Sequence, residues 1–176
     1  MKGPSLVKPE PPAGYALRDA READLPALGL LQAAARVAAD IEPEPALPLA
    51  ALDLCRAAGS LWLAVDAVDL PVGYLAASES DGAMLLLAFG VARAHQRLGL
   101  GGALLDRALD HARWRFLPAA AVILDAGAPV AGPFFSRRGF VRLDATRAEP
   151  GLQQKLAMRA SQAPRPSDPC IMARLL

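Results

Sequence analysis

The sequence predicts an α/β protein in which a sheet of short strands is flanked by helices. Apolar segments at 61–66, 72–77 and 83–92 follow one another with only turn residues between them, which is typical of consecutive antiparallel strands. An amphipathic helical pattern covers 100–116, and patterns for a strand, a short helix and another strand come after it. The 176 residues fit one domain of ordinary size.

The two ends of the chain are rich in residues that break regular structure. Residues 1–13 contain many Pro and Gly and predict a flexible lead-in, because Pro lacks a backbone donor and biases its predecessor away from helix. The folded domain is therefore expected to cover 14–176. Its C-terminal region is irregular and Pro-rich, with a proline cluster at 164–169.

The first elements are predicted from caps and breakers. A short strand at 15–20 comes before a helix whose N-cap is Asp24, since apolar residues follow it at helical spacing. Three prolines in 41–48 end that helix. A second helix covers 49–58 and ends at Gly59.

The central and C-terminal elements follow from turns and periodicity. Asp69 with Pro71, and Asp81 with Gly82, separate the three apolar strands. The long helix is predicted to bury one face: Leu104, Leu105, Ala108, Leu109, Ala112 and Phe116. The later elements are predicted as a strand at 119–124, a helix at 131–138, a strand at 140–143, a helix at 152–160 and a strand at 170–175.

Composition argues against several classes of protein. Nineteen Lys and Arg against 18 Asp and Glu give a net charge of +1, so no overall field attracts nucleic acid or an anionic membrane. Charge, Gly or Pro interrupts each apolar run before the roughly 20 residues that a spanning helix needs. Cys55 and Cys170 belong to no metal-binding spacing. We expect a cytoplasmic protein without a metal, a nucleic-acid partner or a membrane partner.

A strand that ends at Val91 turns through Gly99 and Gly101 directly into the long helix. A helix start offers unpaired backbone N–H groups and the positive end of the helix dipole, which together bind phosphate. Glycines keep the approach open, and Arg93 and Arg97 can add charged hydrogen bonds. The alternative is a purely structural corner, because any strand-to-helix turn favours glycine.

Two motifs resemble those of the GNAT superfamily of acyl-coenzyme A-dependent N-acyltransferases. The first is a strand ending in Val, then Gln/Arg-x-x-Gly-x-Gly/Ala, then a helix with a Leu-Leu pair. In this chain it reads Val91, Gln96-x-x-Gly99-x-Gly101 and Leu104-Leu105. The second motif is an aromatic pair, three residues and Gly-Phe, and it reads FFSRRGF at 134–140.

This resemblance implies a mixed, mostly antiparallel sheet that is splayed between its fourth and fifth strands to admit acetyl-coenzyme A. It implies that the backbone at Val91 hydrogen-bonds the pantetheine arm, and that Phe134 and Phe135 line the sulfur end. The pyrophosphate would lie on six consecutive residues: Gln96, Arg97, Leu98, Gly99, Leu100 and Gly101.

The resemblance also implies catalytic features that this chain lacks. Many members have a tyrosine for the leaving thiolate where this chain has Phe135, and often an asparagine where it has Ala128. Asp125, at the end of the fifth strand, is a candidate base, and an Asx-turn residue before Gly127 is the alternative. Ser136 is a candidate donor to sulfur, and a helix-surface serine is the alternative.

Three further groups have both a functional and a structural interpretation. Glu79 and Asp81 lie at a turn where an amine can enter, or form a solvated hairpin tip. His95 relays a proton or contacts a phosphate, or serves only in packing.

The function expected from the resemblance is transfer of an acetyl group from acetyl-coenzyme A to a primary amine of a small molecule or peptide. The alternative is a non-catalytic acyl-coenzyme A sensor or regulatory protein on the same fold, because the usual catalytic groups are missing. A monomer and a homodimer are both compatible with the sequence.

Overall fold

The computed structural model describes residues 10–38, 46–162 and 168–176. Within these ranges the chain forms seven strands and five α-helices. The strands are β1 (Ala16–Asp19), β2 (Leu61–Val65), β3 (Pro71–Ser80), β4 (Ala83–Val91), β5 (Ala119–Asp125), β6 (Val141–Leu143) and β7 (Pro169–Leu175). The helices are α1 (Leu25–Ala38), α2 (Leu49–Ala57), α3 (Leu100–Trp114), α4 (Ala131–Ser136) and α5 (Pro150–Gln162).

The seven strands form a sheet in the order β1-β2-β3-β4-β5-β7-β6. In the described ranges, β4 and β5 are its parallel pair and the other neighbours are antiparallel. The fold class predicted from the sequence, a mixed and mostly antiparallel sheet flanked by helices, is confirmed.

The sheet opens between β4 and β5. Their pairing covers only Ala83–Leu86 of β4 and Ala119–Val122 of β5, although both strands continue. Leu87 follows the last pair and is the extra residue of a β-bulge, because Ala76 and Ala77 of β3 face Ala88 and Leu86. A bulge bends its strand, so β4 turns away where the pairing stops. We call the opening beyond Leu86 and Val122 the β4–β5 gap; its location confirms the predicted splay.

The helices cover both faces of the sheet. On one face, α3 and α4 pack against β2, β3, β4 and β5 in the largest apolar cluster. Leu104, Leu105 and Leu109 of α3 are at most 1% exposed, and burial of each contributes about 1.5–3 kcal/mol. On the other face, α1 and α2 cover β2 and β3, while α5 covers β5 and β7.

The predicted hairpin turn between β3 and β4 is confirmed. Asp81 and Gly82 have φ of 52° and 72°, so both are left-handed. Two left-handed residues give the backbone twist that suits a tight hairpin, and Asp-Gly adopts them at low cost.

Two expectations from the sequence are wrong in detail. Phe116 was expected on the buried face of α3, but the helix ends at Trp114, and Phe116 is left-handed and 92% exposed. Asp24 does not cap α1. Its carboxylate accepts a hydrogen bond from the Arg21 N–H (2.7 Å) and two from the Arg18 guanidinium (2.7 and 2.9 Å), which lie before the helix.

Parts of three predicted segments lie outside the described residues: most of the lead-in 1–13, most of the proline-rich break 41–48, and most of the proline cluster 164–169. Across the part of the chain that is described, no helix combines the length and the apolar character needed to cross a membrane.

Candidate functional site

The β4–β5 gap exposes backbone groups of β4. Ala92 N–H donates to the Val72 carbonyl on β3 (2.9 Å), and backbone groups alternate sides along a strand. Val91 and Phe89 therefore direct their N–H and C=O groups away from β3, towards the gap. Since β5 pairs only as far as Val122, this edge of β4 is open to an extended ligand.

At the end of β4, a short turn leads into α3. After a 3-10 turn at Arg93–His95, Arg97 and Gly99 adopt left-handed φ values of 61° and 89°. Gly99 is the N-cap and has no side chain, so no side chain caps the first N–H groups of α3. An added Cβ at Gly99 would meet nothing within 4 Å, so its backbone conformation, not a lack of space, favours glycine there.

The six residues predicted to hold pyrophosphate differ in exposure. Arg97, Leu98 and Gly99 are exposed, whereas the Leu100 side chain is 1% exposed and belongs to the core. Only the backbone of Leu100 can therefore contact a ligand.

Gln96 links this turn to β4. Its side-chain Nε2 donates to the Val91 carbonyl at 2.9 Å. Two residues predicted for the cofactor are thus in direct contact, and the Gln96 amide fixes the turn against the open edge of β4. A carbonyl oxygen has two lone pairs, so Val91 retains one acceptor site.

The structure gives a different reason for glycine at position 101 from the open approach to phosphate that the sequence suggested. An added Cβ would lie 3.1 Å from the Phe89 ring and 3.6 Å from the Phe134 ring. The missing side chain therefore allows aromatic rings to pack closely against the first turn of α3.

Four phenylalanines form a cluster beside the gap. The ring centroids of Phe89 and Phe134 are 5.3 Å apart, those of Phe134 and Phe135 are 5.2 Å apart, and those of Phe135 and Phe140 are also 5.2 Å apart. Phe135 is 4% exposed. These rings bring β4 and α4 together into an apolar wall without a proton donor.

The candidate catalytic groups are located as follows. Asp125 ends β5 at the gap, and its Oδ1 accepts a hydrogen bond from Gly127 N–H (2.8 Å), which is the Asx turn that the sequence offered as an alternative. Ser136 is exposed at the end of α4, and the structure does not bring it into contact with Asp125.

The three further candidates all have polar neighbours. Glu79 forms a salt bridge with Arg115 (2.7 Å). Asp81 Oδ2 accepts a hydrogen bond from Ser80 Oγ (3.1 Å), and the same carboxylate lies against Gly151 at the start of α5. His95 Nδ1 is 2.8 Å from the Tyr15 hydroxyl.

Sequence reasoning missed Arg138 at this site. The sequence places it just after α4, where a cation suits a helix C-terminus. The structure instead places its guanidinium over the Phe134 ring, 4.3 Å from the centroid, and against Gly102 in the first turn of α3. The sequence signal available was an arginine within the second motif together with Gly102, a second glycine directly after the last glycine of the first motif.

No group of three or more His, Cys, Asp or Glu among the described residues is arranged to hold a metal ion.

Comparison with known proteins finds a family model and solved structures that resemble this chain. A family model described as acetyltransferase (GNAT) domain matches residues 57–142, which run from the end of α2 to β6. This range contains the β4–β5 gap, the turn into α3 and the phenylalanine cluster.

Three solved structures are similar in fold. Ribosomal-protein-S18-alanine N-acetyltransferase from Escherichia coli is 15% identical, with a TM-score of 0.68 over 92% of this chain and 93% of that chain. The PaiA N-acetyltransferase of Thermoplasma acidophilum, in complex with coenzyme A, is 13% identical, with a TM-score of 0.68 over 92% and 99% of the two chains.

N-acetylglutamate synthase from Neisseria gonorrhoeae, complexed with coenzyme A and N-acetyl-glutamate, is 18% identical, with a TM-score of 0.68. The match covers 93% of this chain and 35% of that chain. At such identities the likeness shows the fold alone.

Proposed function

We propose that this chain transfers the acetyl group of acetyl-coenzyme A to a primary amine of a small molecule or peptide, because the acetyltransferase (GNAT) family model matches residues 57–142 and the fold is similar to that of an N-acetyltransferase. The observation that carries the proposal is the continuity of the open β4 edge with the uncapped start of α3. A ligand with an extended arm that ends in a pyrophosphate can place the arm along the open edge of β4 and the pyrophosphate at the start of α3.

In this proposal the pantetheine arm adds to β4 as a strand would. Val91 and Phe89 exchange backbone hydrogen bonds with its amides, and residues 96–101 bind the pyrophosphate through the first N–H groups of α3 and the helix dipole. The presence of coenzyme A in two of the similar structures supports this assignment.

The thioester then lies at the phenylalanine cluster. Phe134 and Phe135 exclude water from the thioester and orient it. The acceptor ammonium loses one proton, the free amine attacks the carbonyl carbon, and the C–S bond breaks as the C–N bond forms. Nitrogen releases its second proton, and the leaving thiolate takes up one proton.

We propose Asp125 as the group that receives the proton from the amine. Its Oδ1 is fixed by Gly127, so the carboxylate is held at the end of β5 with Oδ2 available to an acceptor or to a bridging water. Ser136 is the proposed hydrogen-bond donor to the thiolate, in place of the tyrosine hydroxyl that Phe135 lacks.

A second candidate function is favoured by one observation. The wall formed by Phe89, Phe134, Phe135 and Phe140 contains no group that protonates a thiolate. This arrangement suits a protein that binds acyl-coenzyme A without turnover, as a sensor or a regulatory subunit.

Release of free thiol from acetyl-coenzyme A tests the proposal. The purified protein is incubated with a panel of alkylamines, amino acids and short peptides, and thiol release is followed with a chromogenic disulfide. The proposal predicts release that depends on at least one amine and an acetylated product of matching mass. Tight binding of acetyl-coenzyme A with no release across the panel would favour the sensor instead.

A further inference from the structure

Arg138, the residue before Gly139, extends its side chain back to the first turn of α3. Its guanidinium carbon lies 4.3 Å from the centre of the Phe134 ring, a distance at which cation and ring attract each other. An ideal Cβ built on Gly102 would collide with Arg138 Nη2. The guanidinium therefore occupies the space that a side chain at position 102 would take.

The surroundings of Arg138 differ from those of the arginines along α3. Arg107 pairs with Asp19, Arg113 with Asp110 and Arg115 with Glu79, at N–O distances of 2.7–2.8 Å. Arg138 has no such partner: in the described part of the chain, no carboxylate oxygen lies within 4.0 Å of an Arg138 nitrogen.

One acidic group acts on Arg138 from further away. Burial raises the pKa of Asp106, which lies one turn along α3, and the Arg138 charge acts in the opposite direction. Among the described residues, the two side chains nevertheless form no salt bridge, since no Asp106 oxygen lies within 4.0 Å of an Arg138 nitrogen.

The start of α3 by itself disfavours a cation at this position. A helix start carries a partial positive charge, so a cation beside it is repelled, whereas an anion between the two is attracted by both. Arg138 is half-buried, rests on an aromatic ring and presents a planar fork of donors, which matches the geometry of phosphate oxygens.

We propose that Arg138 binds the pyrophosphate of acetyl-coenzyme A, and that the absence of a side chain at Gly102 is what lets its guanidinium reach the start of α3. This inference rests on the proposed function. It adds a charged side chain from the second motif to a phosphate site that the sequence assigned to the first motif alone. Phe134 then has two contacts, one with the guanidinium and one with the thioester end of the ligand.

The test compares Arg138→Met with Arg137→Met. Methionine keeps the apolar stem without the charge, and Arg137 is the exposed neighbour, so both variants lose the same charge. Titration calorimetry measures Kd for acetyl-coenzyme A, its 3′-dephospho form and S-acetylpantetheine. Arg138→Met should weaken binding of both nucleotide ligands by about 10- to 100-fold, as expected for a charged hydrogen bond, and leave S-acetylpantetheine binding unchanged. Arg137→Met should change none of the three.

A second variant changes the contact without changing Arg138. Gly102→Ala places a methyl group where Nη2 lies and displaces the end of a flexible side chain. Alanine also favours the helix by about 1 kcal/mol relative to glycine, so the variant should fold at least as stably as the wild type. We expect its affinity for acetyl-coenzyme A to fall in the same direction as that of Arg138→Met, with an unchanged or higher Tm.

Three outcomes would overturn the inference. Arg138→Met could bind acetyl-coenzyme A as tightly as the wild type does, or it could lose as much affinity for S-acetylpantetheine as for acetyl-coenzyme A. In the third outcome Arg138→Met binds the 3′-dephospho ligand as tightly as the wild type does, which would place Arg138 on the 3′-phosphate. Each is read against a wild type that binds acetyl-coenzyme A. A wild type that binds none of the three ligands would instead contradict the proposed function itself.

Discussion

The two faces of the sheet use their polar groups differently. Around the β4–β5 gap on the α3 side, the edge of β4, the uncapped start of α3 and the Arg138 guanidinium are available to a ligand. On the α1 and α5 side, polar groups bind one another. Gln32 clamps the backbone of Leu47 with two hydrogen bonds of 3.1 Å, and Lys155 donates to Ser80 Oγ at 2.9 Å.

This difference separates polar groups that can bind a ligand from polar groups that stabilise the packing of helices and loops. Substitutions of these groups around the β4–β5 gap should change ligand affinity more than stability, and substitutions of the paired polar groups should do the reverse.

Gly99→Glu should abolish measurable binding of acetyl-coenzyme A, with a loss of more than about 100-fold, because a carboxylate would face the pyrophosphate at the start of α3. The left-handed φ of 89° adds strain of about 1–2 kcal/mol. Gly59→Glu is the matched control, since Gly59 has a φ of 71° and open space around it but lies after α2. Equal losses of affinity in the two variants would mean that strain, not charge, is responsible.

Asp125→Asn should lower kcat for the best amine by about 100-fold, the lower range for a general base, with little change in Kd for acetyl-coenzyme A. Asparagine keeps an oxygen for the Gly127 N–H, so the turn is preserved. Asp125→Ala removes both the base and the turn and should also lower the Tm. Full activity of Asp125→Asn would mean that Asp125 only stabilises the turn at Gly127 and is not the base.

Asp24→Asn should destabilise the fold by about 1–3 kcal/mol at pH 7 without changing the affinity for acetyl-coenzyme A, because it leaves the Arg18 guanidinium without its buried partner. The hydrogen bond from Arg18 lowers the pKa of Asp24 below its usual value. The carboxylate therefore contributes stability above the unfolded-state pKa, and that contribution is lost as pH falls through the folded pKa.

Urea unfolding at pH 7 and near pH 3 checks this prediction. The difference between wild type and Asp24→Asn should shrink at the lower pH. Asp53→Asn is the control, because its salt bridge to Arg56 is more exposed and exposed pairs contribute little. A gap between wild type and Asp24→Asn that widens on acidification would contradict the assignment.

Gln96→Leu should weaken acetyl-coenzyme A binding by about 3- to 10-fold, the equivalent of one neutral hydrogen bond, because the turn loses its link to the Val91 carbonyl. Gln153→Leu removes a comparable bond, from Nε2 to the Ala148 carbonyl at 2.7 Å, on the α5 side. Calorimetry should show weaker binding of acetyl-coenzyme A only for Gln96→Leu. The same loss of affinity in both variants would contradict the difference between the two faces.

The sequence was informative where one short segment contains a whole feature. The end of β4, the turn and the start of α3 lie within 83–101, so glycine spacing and hydrophobic period predicted them together. The splay between the fourth and fifth strands came only from the resemblance, since periodicity does not reveal which strands become neighbours. Their parallel pairing was seen only in the structure.

The rest depended on contacts between distant segments. Nothing in the local pattern indicates that Arg138 reaches Gly102, or that Asp81 lies at Gly151, because each contact forms only when the sheet brings the segments together. Phe116 was wrongly expected in the core because the helical period continues past Trp114, while the left-handed turn that ends the helix has no signature in the hydrophobic pattern.

The most direct test of the central claim is calorimetric titration of the wild-type protein with acetyl-coenzyme A, 3′-dephospho-coenzyme A and free pantetheine. We expect binding to the first two, a large loss of affinity for pantetheine, and a higher Tm in the presence of acetyl-coenzyme A. No heat and no thermal stabilisation with any of them, or equal affinity for pantetheine, would contradict a pyrophosphate site at the start of α3.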